Sequence, residues 1–195
     1  MKQFSWNTNK ILKKLPSYLF TLLLIVFIIS KDAKAFLLQQ LVSIGIFNTG
    51  LNNKETKADQ KEKTSSFSYM DYQGLAYSSN DLKGKVVFIN FWATWCPPCL
   101  GEMPSLNKLY NNLKDDQNIV FLFINEDDNP SAAEAYLKKK GYTLPVFRRG
   151  TFPPGMFSGT LPTTIVLDRE GKIVLKHEGI GGYNSNNFIR QLKEL

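Results

Sequence analysis

The apolar positions of this chain fall into three regimes. Leu15 to Ser30 is an uncharged, mostly apolar stretch, whereas Asn52 to Ser66 has no apolar period and carries many charges. From Phe67 onward, short β-branched and aromatic runs alternate with stretches of helical period. The strongest run, Val86-Val87-Phe88-Ile89-Asn90-Phe91-Trp92, predicts a strand buried on both faces. Further strands are expected over Ile119–Asn125 and Thr143–Phe147. Thr164–Leu167 and Lys172–Glu178 read as a hairpin around Asp168-Arg169-Glu170-Gly171. Phe67–Tyr72 and Leu75–Tyr77 read as an earlier hairpin around Gln73-Gly74. Helices are expected over Pro98–Leu113, Ser131–Lys140 and Ser185–Leu195, with Ser131 as an N-cap and Gly141 as a terminator. This order specifies an α/β fold with a central mixed sheet flanked by helices.

The N-terminal third reads differently. As a helix, Leu15 to Ser30 spans ~24 Å at 1.5 Å per residue, and Lys14 and Lys31 can snorkel to make up a bilayer's thickness. The rival reading is a cleaved signal peptide, because Ala33-Lys34-Ala35 fits a small-x-small cleavage site. Phe36 to Phe47 argues for an uncleaved anchor: Gln39, Gln40 and Ser43 share one helical face and the rest is apolar, as in a helix lying in a membrane interface. Both readings export the domain, since the lysines before the span hold the N-terminus in the cytoplasm. The expected organisation is a cytoplasmic N-terminus and transmembrane signal anchor over 1–35, an interfacial amphipathic helix and flexible linker over 36–66, and one folded domain over 67–195.

Charge changes one part of this picture. The formal net charge of +7 suggests nucleic acid until it is divided. Residues 1–66 hold ten lysines against four acids, while residues 67–195 hold 14 basic and 13 acidic residues. The folded domain is near neutral, so no nucleic-acid partner is expected.

Candidate chemistry sits at the end of the strongest strand. Cys96 and Cys99, separated by Pro97 and Pro98, are the only cysteines of the chain. Zinc needs four ligands, and no second pair exists, because His177 is the sole histidine. No metal is therefore expected, and a reversible dithiol/disulfide is. A thiolate is the attacking species, and the mouth of a helix offers it the macrodipole and unpaired N–H groups. Cys96 takes that place. Cys99, one turn inside, is the resolving thiol, and Pro98 suits the first helical position. Pro104 is expected to kink the helix. Leu161-Pro162-Thr163-Thr164 brings a proline to the first residue of a central strand.

With these residues the chain resembles the thioredoxin-like superfamily, and more closely the membrane-anchored TlpA/ResA-like thiol–disulfide oxidoreductases. Phe91-Trp92-Ala93-Thr94-Trp95-Cys96 with Cys99, Glu102, Leu161-Pro162-Thr163-Thr164 and the long gap from Cys99 to Pro162 carry the resemblance over about residues 67–195. It implies a thioredoxin-like fold with an N-terminal hairpin and a helix–strand insertion. It implies catalytic roles for Cys96, Cys99, Glu102 and Pro162, and client contacts at Trp95, Pro97, Leu161 and Thr163. The redox-active disulfide stands in for any cofactor. Partners implied are exported protein thiols or disulfides, apocytochrome c among them, a membrane-embedded thiol electron donor and membrane lipid, with the protein acting as a monomer. Arg148 to Gly155 departs from thioredoxins that carry a full helix before the proline.

Neighbouring residues set the direction of the chemistry. Asn90 cannot titrate where many thioredoxins carry a proton-relaying aspartate, and reads equally as a hydrogen-bonded core amide. Glu102, on the face of Cys99, is its substitute, with a raised pKa; the bland reading is a solvated helix glutamate. Neither Pro97 nor Pro98 can donate an N–H to the Cys96 sulfur, and an ionised Glu102 would disfavour a thiolate. Both effects point to a reductant, with a potential near the thioredoxin end at about −270 mV rather than the DsbA end at about −120 mV. The alternatives are an oxidase or isomerase of the same fold, or a copper metallochaperone using His177. Glu126 to Pro130 reads as a solvated acidic loop.

Overall fold

The computed structural model describes residues 14–22, 25, 30–47, 49–51 and 64–195. The flexible tether expected over 52–66 lies mostly outside the described residues, as do most of the N-terminus and part of the expected span. Residues 14–22 are helical and exposed. Among the described residues, no helix is long and apolar enough to cross a membrane.

Seven strands form one sheet: β1 (Ser68–Met70), β2 (Ala76–Ser78), β3 (Val86–Trp92), β4 (Ile119–Asn125), β5 (Val146–Arg149), β6 (Thr163–Leu167) and β7 (Ile173–Glu178). Their spatial order is β2-β1-β5-β4-β3-β6-β7. The central strand β3 runs parallel to β4 and antiparallel to β6, which makes the sheet mixed as expected. Among the described residues, the α-helices that accompany the domain are α1 (Lys31–Ser43), α2 (Pro97–Leu113), α3 (Pro130–Lys140) and α4 (Asn186–Glu194), besides the helical residues 14–22.

All seven residues of β3 are buried, and their alternation separates two cores. Phe88 and Trp92 join a cluster with Met103 and Leu106 of α2, Leu137 of α3 and Phe188 of α4. Val87, Ile89 and Phe91 face a second cluster that, among the described residues, no α-helix contributes to. Aromatic rings from the 152–157 loop close that side. Phe152 stacks on Phe67 at 4.7 Å and Phe157 on Phe91 at 4.1 Å between centroids. Phe152 and Phe157 are themselves partly buried, so each contributes less than the ~1.5–3 kcal/mol of a fully buried ring.

Several boundaries differ from expectation. β5 starts at Val146 and not Thr143, because Pro145 has no N–H to give the ladder. α3 is capped by Asn129, whose side chain accepts from Ser131 N, with Pro130 as its first residue. α2 likewise begins one residue early, at Pro97. The helix expected from Phe36 begins at Lys31, capped by Ser30, and is packed against α2. Gln39, expected on a water-facing side, donates to the Leu100 carbonyl at 2.9 Å. Phe36, Leu37, Ile44 and Ile46 remain exposed.

Candidate active site

The site lies where β3 and β4 end and β6 begins, at the carboxyl edge of the parallel strands. Cys96 is the N-cap of α2 in an extended conformation, and it is disulfide-bonded to Cys99 with an S–S distance of 2.08 Å. Cys96 is 4 % exposed and Cys99 fully buried, so the expected order of access holds while the expected exposure of Cys96 in this oxidised state is small. Pro97 and Pro98 carry no N–H, yet the sulfur of Cys96 is not without a donor. Cys99 N–H donates to Cys96 Sγ at 3.2 Å, the bond a serine or aspartate cap would accept at this position. The sequence reading offered Cys96 the unpaired N–H groups of the helix mouth without naming this one, and set the two prolines against it.

Register sets the other elements around the pair. Phe91 pairs with Thr163, so Pro162 lies beside the end of β3, and the Leu161–Pro162 bond is cis. Trp95 is 59 % exposed next to the pair; Pro97 and Leu161 are half-buried. Thr163 is fully buried, its hydroxyl donates to Thr160 O, and it is paired with Phe91 of β3 and Glu178 of β7, so the client contact expected of it has no open face here.

Asn90 occupies the same face of β3 as Phe88 and Trp92, which turns it toward α2. Its Nδ2 donates to Glu102 Oε1 at 2.8 Å and to Thr164 Oγ1 at 2.9 Å. Glu102 Oε2 accepts the N–H of Gly181 at 3.0 Å. Glu102 is fully buried, not the solvated helix glutamate of the bland reading. Burial pushes its carboxyl up to about 8, against the lowering effect of the bonds from Gly181 and Asn90. At neutral pH the carboxyl is therefore mostly protonated and adds no full charge beside the thiols. Asn90 Oδ1 has no hydrogen-bond partner among the described residues. Turned end for end, the same amide would offer Oδ1 to a protonated Glu102, so Asn90 suits both states of the carboxyl.

The acidic loop expected to be solvated is a brace. Asp127 is 8 % exposed, and its carboxylate accepts from Thr94 N at 3.0 Å, from the Thr94 hydroxyl at 3.0 Å and from Asn125 Nδ2 at 2.9 Å. Glu126 N–H donates to Trp92 O at 2.9 Å, continuing the β3–β4 pairing into the loop. The Thr94-Trp95-Cys96 approach is thus held from the end of β4. His177 lies nearer than its sequence distance implied, opposite Thr164 in the β6–β7 ladder, with a ring nitrogen 3.2 Å from Ile180 O. Among the described residues, no group of three or more His, Cys, Asp or Glu side chains could hold a metal ion.

A family model described as Redoxin matches residues 57–187, well over half of the sequence. The chain belongs to the Redoxin family. Among its relatives, a thiol-disulfide oxidoreductase ResA of Bacillus cereus is 38% identical over 112 residues, covering 56% of this chain and 64% of the relative. The ResA of Geobacillus kaustophilus is 32% identical over 142 residues, 71% of this chain and 81% of the relative. The match to the first of these thus spans just under two thirds of its length. Among solved structures, a thiol:disulfide interchange protein of the thioredoxin family from Chlorobium tepidum aligns with a TM-score of 0.56 at 28% identity, over 71% of this chain and 98% of that one. This Redoxin chain has the thioredoxin-like fold expected from Cys96, Cys99 and the Leu161-Pro162 turn.

Proposed function

We propose that this protein is a membrane-tethered thiol–disulfide oxidoreductase that reduces disulfides of exported proteins through Cys96 and Cys99. The observation that carries the reading is Cys96 Sγ at the mouth of α2, accepting the Cys99 N–H. In the reduced protein the Cys96 thiolate attacks a client disulfide, forming a mixed disulfide and releasing one client thiolate, which takes up a proton. Cys99 then loses its proton and attacks Cys96 Sγ. The client leaves as a dithiol, and the protein keeps the disulfide. Glu102 suits the second step: it lies one turn along α2 from Cys99, and burial raises its carboxyl so that it can pass on a proton near neutral pH. A membrane-embedded thiol donor returns the two electrons.

Trp95 and the backbone of Leu161 form the client-binding edge, with Pro97 and Pro162 beside the sulfurs. Apocytochrome c is one client of suitable chemistry. The uncharged stretch from Leu15 to Ser30, the exposed apolar residues of 14–22 and the exposed Phe36, Leu37, Ile44 and Ile46 support anchoring to lipid with the domain outside the cytoplasm. The protein acts as a monomer.

A second reading rests on the Cys99 N–H bond itself. It favours negative charge on Cys96, and a stabilised thiolate pulls the pair toward oxidase chemistry. Equilibrating the protein with glutathione and dithiothreitol buffers tests the direction. A potential below about −180 mV supports the reductant, and one above it makes the protein an oxidase or isomerase.

A further inference from the structure

The segment from Ser30 to Leu51 lies outside the residues that match the family model, yet it is seated on the site at two places. The first is a socket in α2. Pro104 has no N–H, so the Leu100 carbonyl four residues earlier loses its helical partner, and Gln39 Nε2 supplies the missing bond at 2.9 Å. Gly101 clears the adjoining space. A Cβ there would come within 2.8 Å of Leu38 Cβ and 3.0 Å of Ile180 Cδ1. A glycine inside a helix costs about 1 kcal/mol against alanine, and here it admits α1.

The second place is the loop after β7. Gly182 N donates to Phe47 O at 2.7 Å, and Thr49 N donates to Gly182 O at 3.1 Å. A Cβ on Gly181 would lie 2.8 Å from Thr49 Oγ1, so the strap runs directly over the loop. Leu51 N, bonded to Gln191 Oε1 at 3.1 Å, ties the strap's end to α4.

Three of the four residues Gly179-Ile180-Gly181-Gly182 are glycine, so the loop's own sequence barely restricts its backbone. Its conformation depends on what grips it. Gly179 N donates to Pro162 O at 2.8 Å, Gly181 N to Glu102 Oε2 at 3.0 Å, and Gly182 is paired with the strap on both its N–H and its C=O. Ile180 is pressed toward Leu38 across Gly101.

We propose that Ser30–Leu51 is a positioning element for the thiol site, holding the glycine loop in the place from which Gly181 fixes the Glu102 carboxyl. The proposal rests on the reading of Glu102 as the proton-handling group of Cys99. The groups facing Glu102 are Cys99 one turn earlier on α2, Asn90 of β3, Thr164 of β6 and the Gly181 amide. His177 of β7 and Tyr183 touch the same loop. From α1 and the strap come Leu38, Gln39 and Thr49, none of them ionisable. The segment therefore acts by geometry and by keeping water out, not by charge.

The test uses the full chain in detergent micelles, reduced, with the iodoacetamide reaction of Cys96 followed against pH and amide exchange followed in the 179–183 loop. Glu102→Gln removes the inflection that the carboxyl contributes. Thr49→Pro deletes the donor to Gly182 O, the double variant L38A/Q39A empties the socket, and Thr49→Val keeps the N–H. Supporting results are faster exchange in the loop and an inflection displaced from the parental one by about one pH unit or more in T49P and L38A/Q39A, since both the Gly181 donor and the exclusion of water set the carboxyl, with the parental profile in T49V. Parental exchange and profile in L38A/Q39A, with the E102Q effect intact, would overturn the positioning role alone. An unchanged profile in E102Q would overturn the reading of Glu102 and the proposal with it.

Discussion

The Asp127 carboxylate accepts hydrogen bonds from both the backbone N–H and the hydroxyl of Thr94, two residues before Cys96. The brace reaches the attacking loop from the neighbouring strand, and its acceptor is almost fully buried. Asp127→Ala leaves a Thr94 N–H without a partner and should cost about 1–3 kcal/mol. Asp127→Asn, which keeps an acceptor, should cost less. Urea denaturation of the two oxidised variants checks the order, and equal losses would count against the brace.

The roles of the two thiols give a sharper outcome. With Cys99→Ser, mixed disulfides to client proteins should accumulate at Cys96, because the resolving attack is gone. Cys96→Ser should trap none. Non-reducing electrophoresis of membranes expressing each variant reads this directly, and the reverse pattern reverses the assignment.

Glu102 makes stability depend on pH in a stated direction. Its folded-state pKa, near 8, lies above the ordinary 4.5 of the unfolded chain, so the folded form retains a proton that the unfolded form has lost between those values. Stability from this group is full below about pH 4.5 and falls by about 1.4 kcal/mol per pH unit until about pH 8. In the oxidised protein the cysteines do not titrate, which isolates the effect. The difference in unfolding free energy between parent and Glu102→Gln should therefore shift steadily in favour of the variant from pH 5 to pH 8. A constant difference would mean that the carboxyl is ionised throughout.

Topology provides the fourth test. A reporter fused after Leu195 should be active only on the far side of the membrane, with the protein staying in the membrane fraction. Recovery of a soluble form starting at Phe36 would establish cleavage in place of anchoring.

Legibility in the sequence followed the range of the forces involved. β3, the cysteine pair and the start of α2 were readable because burial on both faces and capping are local in the chain. Glu102 was readable on the helical face of Cys99 because three residues make about one turn of a helix. The donor at Gly181 was not, since a backbone N–H has no letter of its own and lies 79 residues from its acceptor. Asp127 was misread because a carboxylate among Glu126, Asp128 and Asn129 looks solvated until β4 is laid beside β3. Gln39 was assigned to water for the same reason. The one available hint was the pairing of Gly101 with Pro104 in a short stretch of α2, a combination that leaves both space and an unpaired carbonyl.

Pro104 also bears on where this protein can be cut and joined. The family match begins at residue 57, and a chain trimmed to that point would keep the sheet and both cysteines. It would also open the Leu100 carbonyl to water and leave Gly182 without its two backbone partners. A graft of the matched region onto another anchor would carry over the redox pair but not the setting of its carboxyl. For this chain the transplantable module starts near Ser30, upstream of the family boundary.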